Sequence, residues 1–254
     1  MKYVMNPLYF LLTIFVWVGG MIGLLLGAVL GFITMPFLSQ HRRHLLFFGP
    51  LMGLNVRLTF SRITVVFDPE FDPERRSVFC QNHVNMLDGQ LACAVWPHEF
   101  CGLFSHWQVW FPGYGWILWM TGGIRVFPNA KNRTALITEQ AKDRFRRGIS
   151  ILAYPEGHRT RTGEVGPFKR GSFFMARDAG YPVVPMCTRG MLQVNKPKHF
   201  LLHPGKVEVY IGKQMETQGL NDEQIAELAD RMREIHVAWV ERRLVVGQKE
   251  VKAA

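Results

Sequence analysis

From Val4 to Gln40 the chain carries no charged residue, and Tyr9 to Phe37 is almost wholly apolar. A helix of that extent would run to about 45 Å, more than the ~30 Å hydrocarbon core of a bilayer requires. A secretory leader fits poorly, because its apolar region spans only about 7–15 residues. Gly19, Gly20, Gly23, Gly27 and Gly31 either let a second helix approach closely or break the segment into a two-helix hairpin. The expectation is an N-terminal membrane helix or helical hairpin, with residues 1–45 as the anchor and residues 46–254 as a separate domain. His41-Arg42-Arg43-His44 follows the segment, against a lone Lys2 before it. That asymmetry predicts the bulk of the chain on the cytoplasmic face of the membrane.

Beyond the anchor the pattern alternates between two periods. Asn55 to Phe67 alternates like a strand, and Ser77 to Gln81 is a short apolar run. Leu91 to Trp96 reads as a helix, and Ala130 to Arg147 as a longer one, with Leu136, Ile137, Ala141 and Phe145 inward and a basic outer face. Ile149 to Ala153, Tyr181 to Cys187 and Lys206 to Gly212 read as further strands. Asn221 with Gln224 forms a capping-box pattern ahead of the stripe Ile225, Leu228, Met232, Ile235 and Trp239. Strands interleaved with helices predict an α/β fold, with a central, mostly parallel or mixed sheet flanked by helices. The Trp- and Phe-rich stretch from Pro97 to Phe127 suits a core or interfacial belt, with some rings lining an apolar groove.

Composition adds one constraint. The 254 residues carry a formal net charge of +10, which suits nucleic acid, anionic lipid or an anionic substrate. The four cysteines show no C-x-x-C spacing and lie in apolar surroundings, as free buried thiols do. His98, Cys101 and His106 lack the rest of a coordination shell, so no metal is expected.

Chemistry concentrates in two places. Phe79 to Gln90 holds His83 followed five positions later by Asp88. An imidazole takes up a proton near neutral pH, and a carboxylate beside it fixes its tautomer. Five residues of ideal helix separate two side chains by roughly 140°, so the pair meets only if His83 precedes the helix. The second place is Tyr154-Pro155-Glu156-Gly157-His158-Arg159, followed by Phe168-Lys169-Arg170-Gly171. Gly157 permits close approach of the backbone to a ligand, Arg159 offers a planar fork for phosphate, and Lys169 adds charge. The cations gather on loops near His83 and no nucleic-acid motif is present, which argues against nucleic acid.

NH-x-x-x-x-D at Asn82, His83 and Asp88, YPEG-x-R at Tyr154 to Arg159, the F-K-x-G block ending at Gly171 and VVPM at Val183 to Met186 keep one order and spacing. In this the chain resembles the glycerolipid acyltransferases, the 1-acylglycerol-3-phosphate O-acyltransferases, over roughly residues 60 to 215. The resemblance implies an α/β catalytic domain on the cytoplasmic membrane face and acyl donors carried on coenzyme A or acyl-carrier protein. It implies lysophosphatidate or a related lysolipid as acceptor, and transfer without a cofactor. His83 and Asp88 then act as the base, and Glu156, Gly157, Arg159, Arg125 and Lys169 bind substrate. Three positions depart from the family pattern. Ser105-His106 stands where the family has a Lys block, Pro128 where it has an Arg, and His158 where it has Thr or Ser. Arg125, Lys131 and Arg133 are the cations nearest the displaced position.

Overall fold

The computed structural model describes residues 7–96, 98–197 and 199–241. Lys2 and the ends of both expected domains lie outside them. The chain opens with α1 (Pro7–Thr34), α2 (Gln40–Arg43), a π-helical turn (His44–Phe48) and α3 (Gly49–Arg57). β1 (Arg62–Phe67), β2 (Val78–Gln81), α4 (Asp88–Val95), β3 (Phe100–Ser105) and a 3₁₀ turn (His106–Trp110) follow. Then come α5 (Tyr114–Met120), β4 (Ile124–Val126), α6 (Arg133–Arg146), β5 (Ser150–Ala153) and α7 (Gly171–Ala179). β6 (Val183–Arg189), α8 (Met191–Val194), β7 (Lys206–Ile211) and α9 (Asp222–Val240) close the described chain.

The strands form one seven-stranded mixed sheet in the order β1-β7-β6-β2-β5-β3-β4. All neighbours are parallel except β6 and β7, which run antiparallel. In β2 the strand period of two divides the side chains between the faces. Phe79 packs with Leu91 of α4, Val56 of α3 and Val16 of α1, while Val78 and Cys80 pack with Phe173 of α7 and Ile225 of α9. Each fully buried aliphatic side chain of this kind contributes about 1.5–3 kcal/mol. The expected capping box is present, with Asn221 and Gln224 exchanging side-chain-to-backbone bonds of 2.9 Å.

Two expectations change in detail. Strand pairing begins at Arg62 rather than Asn55, because Asn55–Arg57 ends helix α3, where Met52 and Val56 are buried one turn apart. On α6, Leu136 and Phe145 remain partly exposed, and Ala141 is the fully buried position.

The glycines of α1 do not break it. The helix runs unbroken through 28 residues, about 42 Å, and Gly20, Gly27 and Gly31 face a return arm formed by residues 40–57, while Gly19 and Gly23 meet nothing among the described residues. A Cβ at Gly20 would lie 2.7 Å from Asn55 Oδ1, at Gly27 2.7 Å from a Leu51 methyl, and at Gly31 2.6 Å from the Phe48 ring. Partners falling in sequence as α1 rises show that the two arms are antiparallel. Only 28% of the most apolar window of α1 is buried, whereas a soluble core helix would be mostly covered. Leu8, Leu11, Phe15, Leu26 and Ile33 are all more than half exposed on its outer surface.

Candidate active site

β2 delivers the chain into a turn in which nearly every polar group is answered. Asn82 is buried and clasps β6, its amide donating to the Thr188 carbonyl at 2.8 Å and its oxygen accepting from the Thr188 N–H at 2.7 Å. The Asn85 side chain accepts from the Leu87 N–H at 2.9 Å and donates to the Met191 carbonyl at 2.8 Å. Asp88 opens α4, where a carboxylate is favoured by the helix dipole. It is fully buried, and its Oδ2 accepts from the Val84 and Asn85 N–H groups at 2.6 and 2.9 Å. The same oxygen lies 2.7 Å from His83 Nδ1. His83 therefore precedes the helix, as the spacing requires. The carboxylate accepts a hydrogen bond from Nδ1–H, leaving Nε2 with its lone pair.

The loop after β5 supports this turn from behind. Glu156 is buried, with Oε1 accepting from the His83 N–H at 2.8 Å and Oε2 from the Gly166 N–H at 3.0 Å. Its carboxylate faces backbone, not the cavity beyond. The Thr160 N–H returns a bond to the His83 carbonyl at 2.8 Å. Tyr154 stacks on the imidazole with ring centroids 4.0 Å apart and planes 20° from parallel. Burial, and then the Asp88 charge, push its phenol well above the ordinary value. The sequence marked Tyr154 only as part of a motif, since a stacking partner 71 residues away leaves no local signal.

His83 opens on a cavity of about 1290 Å³ that Gly157, Arg159, Arg161 and Lys169 also line. Gly157 has φ +74°, so the backbone calls for glycine, and a Cβ there would lie 2.6 Å from the flexible end of Lys169. Trp17, Met52, Phe104, Leu118 and Phe200 are among its apolar lining. Arg125 is not brought to this cavity. β4 turns Val126 toward it and Arg125 to the other side, into a second cavity of about 560 Å³. Arg133, the first residue of α6, lines the His83 cavity instead. The His83, Val84 and Asn85 N–H groups, natural donors for an oxyanion, are already engaged by carboxylates.

Cys80 is fully buried and burial pushes its thiol up to about 12. Among the described residues no group of three His, Cys, Asp or Glu is placed to hold a metal ion.

The sequence profile of the Acyltransferase family matches residues 62–189, half of the chain, from β1 through β6. The chain belongs to the acyltransferase family. This acyltransferase is 26% identical over 231 residues to the 1-acyl-sn-glycerol-3-phosphate acyltransferase of Escherichia coli (strain K12), covering 89% of this chain and 91% of that one. It is 27% identical over 188 residues to the human 1-acyl-sn-glycerol-3-phosphate acyltransferase alpha, covering 72% of this chain and 65% of that one. Its fold is shared with the crystal structure of the 1-acyl-sn-glycerophosphate (LPA) acyltransferase PlsC from Thermotoga maritima. The TM-score is 0.79 at 18% identity, over 95% of this chain and 98% of that chain.

Proposed function

We propose that this acyltransferase moves a fatty acyl group from a coenzyme A or acyl-carrier-protein thioester to the free hydroxyl of 1-acylglycerol-3-phosphate, giving phosphatidate. The observation that carries the chemistry is the 2.7 Å contact between His83 Nδ1 and the buried Asp88 carboxylate. Nε2 accepts the acceptor's hydroxyl proton as that oxygen attacks the thioester carbonyl. The C–O bond forms, the C–S bond breaks, and the imidazolium returns the proton to the departing thiolate. The substrate hydroxyl is the nucleophile, so no acyl-enzyme forms. The relatives named for lysophosphatidate support the acceptor.

Arg159 and Lys169 hold the acceptor phosphate, with Arg133 supplying the cation that the family pattern places near Pro128. Gly157 lets Lys169 approach. Glu156 acts as a positioning residue that fixes the His83 turn through two backbone bonds. The apolar lining takes the acyl chains.

The exposed apolar face of α1, with the antiparallel arm of residues 40–57 against it, anchors the enzyme at the cytoplasmic face of a membrane, where acceptor and product reside. A panel of lysolipid acceptors offered to the purified enzyme with one acyl thioester tests the reading. Lysophosphatidate should give the highest kcat/KM. Equal turnover of lysophosphatidylcholine, or none with any lysolipid, would sink the acceptor assignment.

A further inference from the structure

The second cavity, about 560 Å³, lies among the end of α1, α2, α5, β4 and α6, away from His83. Arg43, Arg125, Arg144 and Arg147 all line it, with Glu139 as the one acidic side chain in the lining. Glu139 is paired with Lys142 at 2.9 Å, and Asp143 holds Arg144 and Arg147 from the side. Arg147 also donates to Gln40, and Arg144 to the Gly122 carbonyl at 2.5 Å.

Arg43 differs from the other three. It is only 7% exposed, and its Nε and Nη1 are buried without a hydrogen-bond partner. The Gln40 Nε2 beside it is buried and unpartnered as well. Burying ionised donors without acceptors is costly, and an anion in the cavity removes that cost. Guanidinium N–H groups donate well to phosphate oxygens. Gln40 and Gln140 also line the cavity, beside apolar side chains. Met35, Trp119 and Leu136 are each more than a third exposed and continue the uncovered surface of α1.

We propose that this cavity is a second anion site, separate from the active site, that takes the headgroup phosphate of an anionic bilayer phospholipid. Its arginine floor meets the phosphate, and its Met35, Trp119 and Leu136 rim meets the start of the acyl chains. The lipid source rests on the membrane attachment proposed above. Arg125 then belongs to this site and not to acceptor binding, which accounts for its turning away from His83.

The test uses the full chain and two vesicle compositions. Sedimentation with pure phosphatidylcholine vesicles measures attachment alone, and the gain on adding phosphatidylglycerol measures the site. Arg43→Gln should bind neutral vesicles as the unaltered protein does, yet lose about tenfold or more of that gain, as expected for a buried charge-assisted contact. Arg125→Gln, an exposed change that spares the fold, should lose a smaller share. Arg146→Gln, exposed on α6 outside the cavity, should lose less than the roughly fivefold of a simple surface charge. Melting in neutral detergent should find Arg43→Gln no less stable than the unaltered protein, since an unanswered charge is removed. Equal losses in Arg43→Gln, Arg125→Gln and Arg146→Gln would overturn the site. Stabilisation by inorganic phosphate that depends on Arg43, without any Arg43-dependent vesicle gain, would overturn the lipid as its ligand. Failure of every variant and the unaltered protein to bind neutral vesicles would strike the attachment instead.

Discussion

The turn between β2 and α4 and the loop between β5 and α7 face one cavity with opposite construction. In the turn, Asn82, Asn85 and Asp88 are buried and bonded, and His83 is held through Nδ1, its N–H and its carbonyl. In the loop, Gly157, Arg159, Arg161 and Lys169 are exposed. Proton transfer demands a base fixed to within a fraction of an ångström, and the three bonds converging on Asp88 Oδ2 provide that, while Oδ1 is buried without a partner. Holding a phosphate demands charge at the right distance, which exposed cations supply with tolerance for headgroup shape. Glu156 joins the two, its carboxylate gripping the His83 N–H on one side and the Gly166 N–H on the other. In the function proposed above, the bonded half sets the reaction and the exposed half sets the acceptor.

Substitutions that separate these roles rank by expected size. Asp88→Asn strikes the bonded half and should lower kcat by about 10²–10⁴-fold, because the imidazole loses the carboxylate that fixes its tautomer. Steady-state kinetics of the double variant with His83→Ala should show little further loss, since the two act as one unit. Independent, additive losses would separate them.

Arg159→Ala strikes the exposed half and should weaken acceptor binding by about 2–4 kcal/mol, seen as a higher acceptor KM with the donor KM little changed. An unaltered acceptor KM would move the phosphate contact to Lys169 or Arg133. Glu156→Gln replaces an acceptor-only carboxylate with a group that cannot accept from both N–H groups. It should cost about 1–3 kcal/mol of stability and reduce kcat modestly, with Tm and kcat falling together. A lower acceptor affinity at unchanged Tm and kcat would instead make Glu156 a direct ligand.

The smallest effect belongs to Cys80, three residues from His83 yet on the far face of β2. With its thiol pushed up to about 12 by burial, it stays protonated at neutral pH. Cys80→Ala should leave turnover nearly intact. Mass spectrometry of enzyme quenched during turnover should find no acyl adduct there.

Much of this arrangement was legible in the chain. The His83-to-Asp88 spacing demanded a turn before a helix, and the apolar runs marked β2, β5 and β6. What was not legible depends on contacts between distant segments. The Tyr154 ring on His83, the Asn82 clasp on Thr188 and the inward-facing carboxylate of Glu156 all join segments more than 70 residues apart. Arg125 and Arg133 looked equivalent as nearby cations, and only the alternation along β4 sends Arg125 to the other cavity. Arg43 reads as part of a basic cluster beside the apolar segment, yet in the fold it is buried.

The central claim is that His83 Nε2 takes the proton of the acceptor hydroxyl, and the kcat of folded His83→Ala enzyme tests it most directly. With lysophosphatidate and a long-chain acyl thioester, kcat should fall by at least about 10²–10⁴-fold while the acceptor KM changes little, because the phosphate is held by the other half of the site. Near-normal kcat from folded His83→Ala protein would contradict the account.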